Sequence, residues 1–545
     1  MLERDRGDAV EPECYPSSIV PHTSRLFLDY TASAEPLAPF FSTAPTSKGW
    51  ISAGRKLSAE HRGRLADLLA VQNASFGGGS VTAANIEKLR AGASAVVTGQ
   101  QVALFGGPLY TLLKAATAIA RAREATKAGV DTVPVFWLAT EDHDFAEIAH
   151  VELPARDGLQ AVTIGPAPEV PVPVGGIALG AGIEAALTEA EGLLGSCDLT
   201  VLLRAAYRAE ATLAGAFGSL MARLFAEWGL VVIDAAAAGF HALGAEVLGS
   251  AIRDADALHA ALMARGAELT ERGYHAQVKV GEQSSLLFLI DEPSGARLPL
   301  RRVRVDGGTR WKAGGRHYAS EELLTILQAT PERCSPNALL RPVFQDTVLP
   351  TSAYIAGPAE IAYFAQSEVL YRRMLGRATA VLPRLSATLV EPRIATVMER
   401  HEVRLHNALT SADALAQRLG ARALPVEGKR KLATAGNSLD GELTAVTEWM
   451  AQMDAGLGRA ATTAASKMRY QMNRLRRLAA RYQLEKEASL ARHAQAITQA
   501  LYPAGHLQER AVGGIYFLAT QGPGLLETLV AAASDGCPGH KVLPI

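Results

Sequence analysis

The sequence predicts an α/β fold, a Rossmann-type parallel sheet core with inserted connecting segments, followed by an α-helical antiparallel coiled-coil domain. Three observations carry this expectation. Between Ala95 and Leu138 a short apolar run, a Gly-bearing loop, an apolar-periodic helix and a second apolar run succeed one another. That is about 45 residues, the length of a βαβ unit whose crossover makes the two strands parallel. The same alternation resumes at Leu230–Asp234 and from Ser352 to Gly376. From Glu391 to Leu501 strand signals vanish, and helical segments rich in Ala, Arg, Glu and Gln take over.

The first strand, Ala95 to Thr98, runs into Thr98, Gly99, Gln100 and Gln101, and a loop through Gly106 and Gly107 leads to a helix expected from Pro108 to about Lys127. Proline is tolerated in a first helical turn, where its missing N–H has no partner to lose. In an open parallel sheet the ligand crevice lies at the carboxyl ends of the strands, and a helix N-terminus there offers unpaired N–H groups to an anion. Thr98, Gln100, Gln101, Gly106, Gly107, Tyr110 and Lys114 are therefore candidate substrate- or nucleotide-binding residues. Neither GxxxxGK[ST] nor GxGxxG occurs here, which leaves the nucleotide type open.

The second strand, Val133 to Leu138, ends in Glu141, Asp142, His143 and Asp144, with Glu147 and His150 beyond. Three carboxylates bracketing an imidazole perturb one another's protonation, which suits a general base or the binding of a ligand amine. A solvated, acid-rich helix start is the competing reading. Asp142, His143 and Asp144 are candidate catalytic residues and Glu141 a binding residue. With no HExxH spacing and no nearby thiol, no metal site is assigned. The third stretch runs from Arg341 through Gln345 and Asp346 to Gly357, Pro358 and Glu360, again a strand feeding a Gly-Pro turn that opens a helix. Gln345 joins the candidate catalytic set, and Arg341, Asp346, Gly357 and Glu360 the binding set. Glu360 reads equally well as compensation of a helix dipole.

Between these core pieces, a β-rich region spans Val151 to Ile164, a helical pair lies between Ile183 and Glu227, and a helix lies near His241 to Arg265. Ala276–Val280, Ser285–Ile290 and Leu298–Val305 alternate and are separated by Gly or Pro, so they read as an antiparallel insert. Leu443, Val446, Met450, Met453, Leu457, Ala460 and Ala464 alternate spacings of three and four, a coiled-coil seam. Breaks at Leu424, Pro425 and Gly428 and at Ala435, Gly436 and Asn437 suggest two helices in a hairpin; an ordinary helical bundle is the alternative. The expected organisation is core in 1–150, a connecting insert in 151–229, core again in 230–275, and a β-rich insert in 276–335. The second part of the core follows in 336–390, then the coiled coil in 391–505, and 506–545 packs back on the core.

Composition narrows the partners. Of 545 residues, 54 are Lys or Arg and 55 Asp or Glu, so no global field holds nucleic acid by counterion release. Cys14, Cys197, Cys334 and Cys537 lie far apart with no CxxC pair, which argues against a disulfide framework or zinc knuckle and for a reducing compartment. The first 18 residues carry no apolar signal region, and the most apolar stretch, Trp228 to Phe240, is interrupted by Asp234. A cytoplasmic protein with no membrane partner is expected.

The words VVTGQQVALFGGPLYTLLKA, VFWLATEDHDFAEI, LLRPVFQDTVLPTSAYIAGPAEIAYFA and LYPAGHLQERAVGGIYFL resemble, in order and spacing, the bacillithiol biosynthesis cysteine-adding family, BshC. The resemblance spans essentially the whole chain. It implies a core like that of class I aminoacyl-tRNA synthetases and nucleotidylyltransferases, with GGPLYT in the place of their HIGH-type signature but without its histidines. It also implies a homodimer supported by the coiled coil, and a ligase joining cysteine to the amine of glucosaminyl-malate. Condensing a free acid with an amine in water runs uphill, so an activating co-substrate, ATP with magnesium, is expected from the chemistry. A reading of another class is a nucleotide-binding coiled-coil scaffold with a vestigial synthetase-like site. A tRNA-binding relative is disfavoured by the charge balance and the missing histidines.

Overall fold

The runs SAVVTGQ and TVPVFWL are buried at every position except Gln100, the pattern of strands covered on both faces. In a computed structural model that describes residues 13–305 and 308–545, they form β1 (Ser94–Gln100) and β2 (Thr132–Leu138), joined by α1 (Tyr110–Lys127). β3 (Val231–Asp234), β4 (Thr351–Ala356) and β5 (Ala380–Pro383) complete an all-parallel sheet of order 3-2-1-4-5. Pro134 is accommodated in β2 because pairing with β3 begins only at Val135, so that stretch of β2 is an edge. Gly99 has a steric reason to be glycine, since a Cβ there would lie 2.9 Å from the Trp137 carbonyl oxygen.

The Ala-rich α1 is buried on nearly all sides, between the sheet and the helix Gly524–Ser534. It starts two residues later than expected. Phe105, Gly106 and Gly107 all have positive φ, and Pro108 bridges Gly513, which takes Pro108 out of the helix and ties the loop to the chain's later segment.

The chain divides into two compact units, one comprising 13–387 with 509–541 and the other 388–508 with 542–545. In the first, the expected helical pair after Ile183 is three helices, Ile183–Leu194, Asp198–Ala206 and Leu213–Leu224, the first ended by Gly195 at φ 79. The helix near His241 is two, α2 (Ala238–Arg253) and a following helix Ala255–Glu271, interrupted at Asp254. Ala276–Val280 is not a strand. The Gln366 side chain takes both backbone groups of Val278, accepting from its N–H and donating to its carbonyl at 2.9 Å each, and so replaces a ladder partner. The insert's strands are Leu287–Ile290, Arg297–Pro299 and Cys334–Pro336 in one antiparallel sheet, with Arg301–Val305, Gly308–Ala313 and Arg316–Tyr318 in a second. α3 (Arg341–Val348) and α4 (Pro358–Leu375) flank β4.

The reading against disulfides is corrected for one pair: Cys14 and Cys537 form a disulfide although 523 residues separate them, while Cys197 and Cys334 are free. Sequence separation does not limit spatial approach when both segments pack on one core. No helix among the described residues is long and apolar enough to cross a membrane.

The second unit is helical, with α5 (Ala412–Ala423), α6 (Val426–Met453), α7 (Ala455–Lys486) and α8 (Ala488–Leu501). α6 and α7 are antiparallel: Gly436 faces Arg476, Asp440 pairs with Arg469 at 2.8 Å, and Gly458 faces Ala451. The expected breaks at Gly428 and at Ala435–Asn437 lie inside α6. At Gly436 a Cβ would collide with the Arg476 guanidinium, so this glycine makes room for a crossing side chain instead of ending a helix. The turn is at Asp454, whose carboxylate caps α7 by accepting from the Leu457 N–H at 2.9 Å. The seam read as one helix is therefore shared, Leu443–Met453 on α6 and Leu457–Ala464 on α7.

Candidate active site

In the order 3-2-1-4-5 the chain leaves β1 in one direction and later returns beside it as β4, so a crevice opens between their carboxyl ends. A cavity of about 650 Å³ occupies this place. Gly99 and Gln100 reach it from β1, Tyr110 and Lys114 from α1, Glu141, Asp142 and His143 from the loop after β2, and Gly357 and Glu360 from the turn after β4.

One wall is a buried ion pair. Lys114 Nζ lies 2.6 Å from Glu360 Oε2 and also donates to the Gly99 carbonyl at 2.7 Å and Gln100 Oε1 at 3.0 Å. All three ammonium donors are thus used, so Lys114 braces the strand end. Burial pulls its pKa down; burial of Glu360 favours the neutral acid, yet Lys114 and the Gly357 N–H outweigh this and hold the carboxyl below its usual range. Tyr354 donates to the other Glu360 oxygen at 2.8 Å.

The floor carries Arg341. Its guanidinium donates to Gln345 Oε1 at 3.0 Å and to the hydroxyls of Tyr363 at 3.1 Å and Tyr354 at 3.4 Å. Burial pushes the Tyr363 phenol up to about 12 and the Tyr354 phenol well above its usual value, so both stay neutral. The hydrogen-bond partners of Arg341 are neutral, Glu360 acts on it electrostatically while paired with Lys114, and this permanent cation lines the cavity.

The opposite lip is acidic. Gln101 Nε2 bridges Asp142 Oδ2 at 2.7 Å and Glu147 Oε2 at 2.8 Å, and Asp142 Oδ1 accepts the His143 N–H at 2.7 Å. Glu141 is held 2.8 Å from Nε2 of the fully buried His241. Burial opposes the charge on His241, but Glu141 outweighs it and raises the imidazole's pKa.

Several sequence candidates lie elsewhere. Thr98 is buried in the sheet, donating to the Ile355 carbonyl at 3.0 Å. Gly106 and Gly107 shape the loop behind Tyr110, and Asp144 caps the short helix Phe145–Ile148. Gln345 and Asp346 are buried on α3; Gln345 orients Arg341 from behind, and Asp346 accepts from Gln345 and Thr379. Arg297, Tyr354, Tyr363, Arg384 and Arg510 line the cavity and were not singled out in the sequence. Arg384 had a usable signal, since it follows directly on β5 and so sits at a strand's carboxyl end. Arg297 had none, because its insert has no periodic relation to the core.

Two family models cover the chain. Bacillithiol biosynthesis BshC, N-terminal Rossmann-like domain, matches residues 15–385, and Bacillithiol biosynthesis BshC, C-terminal coiled-coil domain, matches 387–545. Among similar curated proteins are those of Koribacter versatilis, 44% identical over 98% of this chain and 100% of the relative, and Solibacter usitatus, 33% identical over 98% and 99%. A relative from Geobacillus kaustophilus is 30% identical over 96% and 98%. Each is named "Putative cysteine ligase BshC".

Proposed function

Because the chain belongs to the bacillithiol biosynthesis BshC family, we propose that this crevice ligates L-cysteine to the amine of glucosaminyl-malate in the cytoplasm. The observation that carries the reading is the bipolar lining, with the Arg341 cation on the floor and Glu141, Asp142 and Glu147 on the lip. Both substrates carry carboxylate and amine groups, and such a lining sorts the two ends of each. Arg341 would hold a substrate carboxylate through charge-assisted hydrogen bonds, and the acidic lip would hold the amine and take its proton, since only the neutral amine is a nucleophile. Amide formation from a free acid is uphill, so the reading includes an activating co-substrate of the nucleoside triphosphate class, ATP with magnesium. Purified protein with cysteine, glucosaminyl-malate, ATP and magnesium is expected to yield the thiol conjugate by mass spectrometry, and Asp142→Asn to lower turnover about 10²-fold at unchanged thermal stability. Absence of product with authentic substrates overturns the assignment; unchanged turnover in Asp142→Asn removes that residue from it.

The reading extends to a homodimer built through the helical unit. Trp449, Met453, Met468, Tyr470, Leu475 and Leu478 are exposed on α6 and α7, more apolar surface than an isolated hairpin tolerates in water. Light scattering is expected to give twice the chain mass for the native protein and a monomer for Trp449→Glu. A native monomer at micromolar concentration refutes the dimer.

A further inference from the structure

We infer that Arg297 is a positioning residue that fixes His143 as its neutral Nε2–H tautomer, so that His143 serves the reaction as a hydrogen-bond donor and not as the base. This deepens the ligase reading and rests on it for the role, though not for the tautomer. Arg297 is 6% exposed and locked on several sides. Its Nε donates to Ser335 Oγ at 3.0 Å, its Nη2 to the Pro336 carbonyl at 2.9 Å, and its guanidinium lies 3.7 Å from the Phe288 ring centroid. The remaining terminal nitrogen, Nη1, is 3.2 Å from His143 Nδ1.

A guanidinium has donors and no acceptor. The nitrogen facing it must accept, which places the ring's single proton on Nε2. Among the described residues nothing competes for Nδ1: Asp142 Oδ1 is 3.7 Å away, beyond hydrogen-bond reach, and is already engaged by the His143 backbone N–H. The imidazole lines the cavity with its side chain 37% exposed, so its Nε2–H is offered to the ligand. As the amine nitrogen adds to the activated cysteine carbonyl, the C=O electron pair moves onto oxygen, and a fixed donor is suited to that charge until the leaving group departs and the carbonyl re-forms. The ammonium proton then passes to a carboxylate of the lip, because His143 has no free lone pair to receive it.

The test uses the full-length protein labelled with ¹⁵N-histidine, the His143 signals being identified by their loss in His143→Gln. The expected spectrum has Nδ1 in the pyridine-type range and Nε2 in the pyrrole-type range; a protonated Nδ1 overturns the inference without reference to activity. In Arg297→Met the ring is expected to populate both tautomers, with kcat lowered about 10²-fold and KM for cysteine changed less than about threefold. Arg297→Lys, which keeps a donor, is expected to retain the native tautomer. A native tautomer ratio in Arg297→Met also overturns the inference, and if that variant does not fold, the native spectrum decides. Native protein that shows the expected tautomer but forms no conjugate leaves the assignment of Arg297 standing and refutes the ligase reading.

Discussion

In Arg341→Met protein, kcat/KM for conjugate formation is expected to fall by about 10²- to 10³-fold, ~3–4 kcal/mol of transition-state stabilisation. The magnitude follows from the partners of Arg341. Gln345 and two neutral phenols orient the guanidinium, and none of them neutralises it. Its charge is thus available to a substrate carboxylate, where an ionic hydrogen bond is worth about twice a neutral one. The same partners predict a small stability cost, below ~2 kcal/mol, because Glu360, the buried carboxylate that feels the Arg341 charge, keeps its own ion pair with Lys114. Steady-state kinetics and thermal melts on one preparation separate the two effects. Wild-type kcat/KM in a folded Arg341→Met protein would refute the anchoring role.

Glu509→Gln is expected to show the reverse pattern, a loss of ~3–5 kcal/mol in stability, as for a buried ion pair left with one member. Glu509 is 1% exposed and grips Arg384 with both oxygens at 2.5 and 3.0 Å, while also accepting from Ser386 and from the Ala387 N–H at 2.9 Å. Burial works against its charge, but Arg384 more than offsets this and holds the carboxyl at about 2. A carboxyl depressed on folding contributes its stabilisation in full above about pH 4.5, the ordinary value, and loses it as pH falls toward 2. The gap between native and Glu509→Gln proteins in urea denaturation should therefore narrow by roughly 2 kcal/mol between pH 6 and pH 3. An equal gap at both pH values contradicts the assignment of the charge to Glu509.

The parts of the fold legible in the sequence are those where local pattern and tertiary demand agree. β1, α1 and β2 announce themselves by short apolar runs, Ala95–Val97 and Val133–Leu138, around a helix of small residues, and the position of the crevice follows from strand order. The misread parts are those where one side chain settles the matter. Gln366 satisfies Val278 and removes a strand, the Arg476 guanidinium lies against Gly436 inside a continuous helix, and Asp454 caps α7 with Gly456 and Gly458 inside that helix. The site divides in the same way. Gln100, Asp142 and Glu360 stand at strand ends, where a sequence reader looks. Gln345 reads as a crevice residue because its stretch looks like a strand feeding the Gly-Pro turn, yet the segment is the helix α3 and, of Arg341 and Gln345, only Arg341 lines the cavity; which face of α3 points inward is decided by packing. Arg297 arrives from an insert whose placement no local pattern encodes.

The clamp between Arg384 and Glu509 has a consequence in time as well as in space. The two residues are 125 positions apart, with the whole helical unit between them. At a synthesis rate of about 5–20 residues per second, Arg384 is incorporated some ~6–25 s before Glu509. Throughout that interval the core sheet is already made but carries a cation it cannot bury. The nascent domain must wait, open at this edge, for the far side of the coiled coil to be translated.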